Sequence, residues 1–269
     1  MRGERPFRIA VHATAEPGAR AGRILLGEPD LIELGTYRCS FTTPGDSRVQ
    51  RTDDLSGFDV LASDDTGDPL TIAAQARTAG IPCVLWSDLW EGRAEGRSAG
   101  DDFARSGLTL LLGAALGPGI AHALASHEVA RLDRVTSVSV GWTVPGRPLR
   151  RGEALPFPEP VGSLWARETD DPDLPSPAPT RRLVAPLQGD WAGATARVSG
   201  TVDGRPGHRV VGVADHAGHL EGLALAAGAV AVVSGGYGVG LQWPSAADTY
   251  LEHALAAGLT VATFTGHDD

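Results

Sequence analysis

Directly after the apolar run Ile9-Ala10-Val11, and directly before a helical pattern, the chain reads Ala13-Thr14-Ala15-Glu16-Pro17-Gly18. Such a strand-turn-helix has the layout of the G-x-G-x-x-G dinucleotide turn. There the first glycine makes the turn, the second lets a pyrophosphate approach the backbone, and the third lets helix and strand pack closely. Here the three positions are Ala13, Ala15 and Gly18. Each alanine puts a methyl where a phosphate would press and closes the positive φ that glycine permits. Glu16 suits the positive end of a helix and repels a second anion. The turn is a remnant or variant site, with Ala13, Ala15 and Gly18 lining the pyrophosphate position. Arg38, near the end of the second strand, is placed to meet an adenosine 2′-phosphate, which favours NADP over NAD.

Ligands of an open α/β sheet bind beyond the carboxyl ends of its strands, so the loops 12 to 18, 63 to 69, 86 to 92 and 113 to 119 matter. Asp64 in the second of these, and Gly117 and Gly119 in the last, are candidate cofactor contacts. The 113 to 119 segment either offers free amides to an anion or is a plain strand-to-helix corner. Three residues are candidates for moving a proton. His122 lies one turn into the helix after that corner, His216 follows the natural N-cap Asp215 at a strand end, and Tyr237 lies in the glycine-rich loop 235 to 240. His216 and His219 share a helical face, but no cysteine or H-E-x-x-H pattern accompanies them, so no metal is expected.

Those residues must be held by an alternation of strands and helices. Strands are expected at 7 to 11, 33 to 38, near Val49, at 59 to 63, 81 to 86 and 108 to 112, with helices at 17 to 27, 69 to 79, 99 to 106 and 118 to 131. This predicts an α/β, doubly wound, parallel Rossmann-type sheet. After it come a strand from Arg134 to Trp142, an extended proline-rich excursion at 143 to 180, and antiparallel strands at 181 to 187, 194 to 203 and 207 to 214. Helices at about 216 to 228 and 245 to 257 and a strand at 259 to 264 close the chain. The expected domains are 1 to 127 for NAD(P), 128 to 240 as an α+β substrate and dimerisation domain with an antiparallel sheet, and 241 to 269 returning towards the first.

The 269 residues carry a net charge of -10, and no basic stripe tracks a phosphate backbone, so nucleic acid is not an expected partner. No apolar run reaches the roughly 18 residues of a membrane span, and a cytoplasmic location is expected. Cys39 and Cys83 read as reduced thiols. The chain contains no lysine, so its 23 basic residues are all arginine. Schiff-base, lysine proton-donor and P-loop chemistries are thereby excluded.

The segments Phe58-Asp59-Val60-Leu61-Ala62-Ser63, Ala79 to Asp88, Leu108 to Gly119, Phe157-Pro158-Glu159-Pro160-Val161-Gly162 and Gly238 to Pro244 resemble saccharopine dehydrogenase-like and dihydrodipicolinate reductase-like oxidoreductases. The resemblance implies an NAD(P)-binding Rossmann domain, a C-terminal sheet carrying substrate and dimer contacts in a homo-oligomer, and hydride transfer to an imine or enoyl-type double bond of a small metabolite. The histidine-histidine and lysine motif of dihydrodipicolinate reductase has no counterpart in a lysine-free chain. The alternative is a catalytically silent, Rossmann-derived nucleotide- or metabolite-binding protein.

Overall fold

The computed structural model describes residues 5–39, 41, 45–87, 94–169 and 179–264. It divides into two compact units, Met1–Ala115 with Glu221–Gly258, and Leu116–Leu220 with Leu259–Asp269. The chain thus leaves its first unit at 115 and re-enters it at 221, where the sequence placed the change after 127 and the return at 241.

In chain order the elements begin with β1 (Phe7–His12), α1 (Glu16–Leu25), β2 (Leu31–Tyr37), β3 (Val49–Thr52), β4 (Val60–Ser63), α2 (Pro69–Thr78), β5 (Cys83–Leu85), α3 (Ala94–Arg105) and β6 (Thr109–Leu111). A tight helical turn (Leu116–Ile120) and α4 (Ala121–Val129) lead into β7 (Arg134–Pro145), β8 (Glu153–Pro156), β9 (Ser163–Glu168), β10 (Thr180–Leu187), β11 (Trp191–Val202) and β12 (Arg205–His216). The chain ends with α5 (Ala217–Val233), β13 (Gly240–Gln242), α6 (Asp248–Ala256) and β14 (Ala262–Phe264).

The sheet of the first unit has seven strands in the order β13-β6-β5-β4-β1-β2-β3, all parallel. Its central strands are continuous apolar runs because helices cover both faces. Ile9, Val11, Leu34 and Val60 face one core together with Leu25 of α1, while Ala10, Leu61 and Leu85 face a second core with Ile72 of α2 and Phe103 of α3. Successive strand residues therefore serve opposite cores, as the period of two demands. α2 opens with Pro69 at its first position and with the Asp68 side chain accepting from the Thr71 amide, a proline-and-cap start.

The second unit carries a mixed sheet, β14-β12-β11-β7-β10-β9-β8. β11 and β12 form a long hairpin whose turn residues Asp203 and Gly204 both have positive φ, the geometry that matches strand twist. Two expectations are corrected here. β10 runs parallel to β7 and is antiparallel only to β9. The 143 to 180 excursion contains β8 and β9, whose residues Leu155 and Ala166, with the adjacent Phe157, pack on Leu183 and Ala185 of β10. Residues 170 to 178 of that excursion lie outside the described residues. α4 packs against β7 and β11 on one side of this sheet.

Candidate functional site

From β1 the chain proceeds to β2 and β3 on one side, and from β4 to β5 and β6 on the other. The carboxyl ends of β1 and β4 therefore flank the point where strand order reverses, the position at which open α/β sheets bind ligands. Ala13, Ala15 and Gly18 lie after β1, Asp64 lies after β4, and Arg38 follows β2.

The amides of the first turn are already engaged. Asp64, almost wholly buried, accepts from the Thr14 amide at 2.6 Å, the Ala15 amide at 3.0 Å and the Gly18 amide at 2.8 Å. The Thr14 hydroxyl adds a bond at 3.0 Å. The Ala13 amide points to the Cys39 thiol at 3.4 Å, and that thiol donates to the Val11 carbonyl at 3.3 Å. Burial pushes the Cys39 thiol up, partly opposed by the Ala13 amide, which keeps it a proton donor. α1 has no side-chain cap from its own N-cap residue, Ala15. The Ala15 amide at the cap and the Gly18 amide of its first turn are satisfied instead by Asp64, which follows β4.

This alters what the surviving glycine means. A methyl on Gly18 would lie 2.8 Å from Ala13 Cα, Ala13 Cβ and Asp64 Cγ. Gly18 is small because the turn and the Asp64 carboxylate close on it. A pyrophosphate in the G-x-G-x-x-G manner needs these same amides and would bring charge against Asp64 and Glu16, so the turn as folded does not fit that group.

Around the turn, His12 Nδ1 lies 3.1 Å from Ser63 Oγ, which also accepts from the Asp65 amide at 3.1 Å. Ser63 is fully buried and serves as a tie between β1 and β4. Burial lowers the His12 pKa, the Asp65 and Asp64 charges oppose this, and Arg38 adds to it. Arg38 has a positive φ of 50°, lies over the Tyr37 ring at 5.0 Å and donates to Gln75 Oε1 at 3.2 Å. A groove of about 440 Å³ runs from Tyr37 past Gln75, with Asp53 and Asp54 on its wall.

The remaining candidates are placed as follows. The Gly113, Ala114 and Ala115 amides donate to the Ser87, Leu85 and Gly113 carbonyls. Gly117 lies in extended backbone, and a methyl there would enter the Trp142 ring at 2.2 Å. Gly119 is buried in the same turn. This is the geometry of a packed corner. His122 is buried, with Nδ1 on the Pro118 carbonyl at 2.9 Å and Nε2 without a partner. Burial pulls its pKa down to about 4, the Pro118 bond opposes the shift, and Arg182 adds to it, so the ring is neutral near pH 7. His216 is exposed and stacks on Trp191 at 4.3 Å between ring centres, and His219 Nε2 lies 3.8 Å from Asp215. The Tyr237 hydroxyl donates to the Pro244 carbonyl at 3.0 Å, and burial raises its pKa.

The structure thus brings Ala13, Ala15, Gly18 and Asp64 together, with Arg38 at the next strand end. His122 and His216 have separate ring partners in the second unit. The role of Cys39 was missed, and its only signal was its place after the second strand. Among the described residues no group of three His, Cys, Asp or Glu could hold a metal, and no helix is long and apolar enough to cross a membrane.

No family model matches the sequence, and no curated protein matches it. Solved structures match in fold. An apo saccharopine dehydrogenase (L-Glu forming) from Saccharomyces cerevisiae aligns with a TM-score of 0.65 at 10% identity, covering 96% of this chain and 100% of that one. The C. glutamicum DAP dehydrogenase, solved with DAP, gives 0.58 at 14% identity over 91% and 95% of the two chains. An engineered D-amino acid dehydrogenase bound to NADP+ gives 0.57 at 14% identity, with the same coverage. The chain has the two-sheet, Rossmann-type fold of these oxidoreductases, in line with the resemblance found in its sequence.

Proposed function

We propose that this protein is a metabolite-binding derivative of the dehydrogenase fold, in which the seat of the dinucleotide pyrophosphate is filled by the chain's own carboxylate. One observation carries this reading: Asp64 accepts from the Thr14, Ala15 and Gly18 amides. Those are the donors that a dinucleotide would use, and a buried carboxylate with three amide bonds is not readily exchanged for a second, more hydrated anion.

An NADP- or NAD-dependent oxidoreductase, passing hydride to an imine or enoyl-type double bond, is the second reading. It is favoured by the fold shared with dehydrogenases over 91% or more of the chain and by Arg38 after β2, which suits the 2′-phosphate of NADP. It requires Asp64 to leave the amides.

A thermal-shift and calorimetric titration with NADPH and NADH separates the two. On the first reading the melting temperature stays constant at about millimolar nicotinamide. A dissociation constant below about 100 μM overturns it and selects the oxidoreductase.

A further inference from the structure

In the second unit, β7, β8, β11 and β12 enclose a cavity of about 140 Å³ that none of the functional candidates lines. Its polar side is made by Ser139, Glu153, Thr195, Arg197 and His208, and its apolar side includes Leu155 and Val210. Ser139, Arg197 and Val210 are direct cross-strand partners on β7, β11 and β12, so they form one row facing the same way.

The charges on this wall are unequally matched. The carboxylate of Glu153 is held by Arg181 at 2.8 Å, and Arg181 also holds Glu168 at 2.6 Å, so its charge is met from outside the cavity lining. Among the described residues, the Arg197 guanidinium has no carboxylate partner and the Ser139 hydroxyl has no hydrogen bond. Thr195, buried at the floor, spends its hydroxyl proton on the Val211 carbonyl. An unpaired guanidinium beside a free hydroxyl, above an aliphatic wall, is complementary to a head that accepts two hydrogen bonds and carries a short apolar tail. At roughly 30 Å³ for each water, the volume is that of four or five waters, enough for a carboxylate with about three carbons behind it.

We propose that this cavity binds a short-chain aliphatic carboxylate, its head on Arg197 and Ser139 and its tail against Leu155 and Val210. The proposal goes beyond the function proposed above and stands whichever cofactor reading holds, because the site lies within the second unit.

The test is calorimetry on the full chain with butyrate, butylamine and inorganic phosphate as probes, free of nucleotide. Butyrate is expected to bind saturably. Arg197→Gln should weaken it about tenfold or more and Ser139→Ala about threefold, with the melting temperature without ligand unchanged because Arg197 is exposed at the mouth. No saturation by roughly 50 mM butyrate overturns the proposal, since a site of about 1 mM affinity would be full. Butylamine or phosphate binding as well as butyrate, or Arg197→Gln binding like the parent, overturns it too. Nicotinamide titrations read the first unit separately, so either proposal can fail without the other.

Discussion

Asp64 exchanges water for three amides and a hydroxyl of the first turn, so its removal leaves α1 without a cap and buried donors without partners. Asp64→Ala is expected to cost about 2–3 kcal/mol in urea unfolding, and Asp64→Asn less, because one amide oxygen still accepts. A loss under about 0.5 kcal/mol would mean that water replaces the carboxylate. Gly18→Ala forces a methyl to within 2.8 Å of Ala13 and Asp64 and should cost about 1–3 kcal/mol by the same measurement. His122 gives a pH signature. Its pKa is about 4 in the folded chain against 6.5 for an ordinary histidine. Between those values the unfolded state binds the extra proton. Its contribution is therefore whole above pH 6.5 and falls by up to ~3 kcal/mol as the pH drops towards 4. The pH dependence of stability over that window should flatten in His122→Gln, and an unchanged profile would contradict the burial of this ring.

At the scale of elements, Arg48 closes the far end of α1. Its guanidinium donates to the Leu26 carbonyl at 2.6 Å and to the Leu31 carbonyl at 3.3 Å, and it is oriented by Asp46 at 2.8 Å. Arg48→Met should lower stability by about 1–2 kcal/mol and speed amide exchange in the last turn of α1. Exchange confined to β3 would assign the residue to strand pairing instead. The strands of the first sheet were legible because runs such as Val60-Leu61-Ala62 and Leu110-Leu111-Leu112 are apolar without alternation, the mark of burial on both faces. β8 and β9 were not, since Pro156, Pro158 and Pro160 overlay the pattern and only packing on Leu183 and Ala185 makes those segments strands. The parallel pairing of β10 with β7 is likewise a tertiary choice. Gly18 and the two alanines of the turn were visible in the sequence. The act of Asp64 was not, because it depends on β4 lying beside β1, a neighbour some fifty residues away in the chain.

For the whole molecule, two sheets with the layout of dehydrogenases coexist with a first turn whose amides are engaged by side chains of the same chain. This predicts an order of repair. Ala13→Gly with Ala15→Gly should leave NADPH affinity negligible, whereas the same pair combined with Asp64→Ser should create it, read as a nucleotide-dependent rise in melting temperature. Affinity from the glycines alone would show that Asp64 yields readily and that the methyl groups were the barrier. The carboxylate of Asp64 is tethered by the backbone of β4, so its effective molarity at the amides is set by geometry and does not change with dilution or with the supply of metabolites. A soluble phosphate must out-compete a rival that never diffuses away. In this first unit the electrostatic demand of the helix terminus is met within the chain, and any dinucleotide must supply the free energy of displacing that contact before it gains its own.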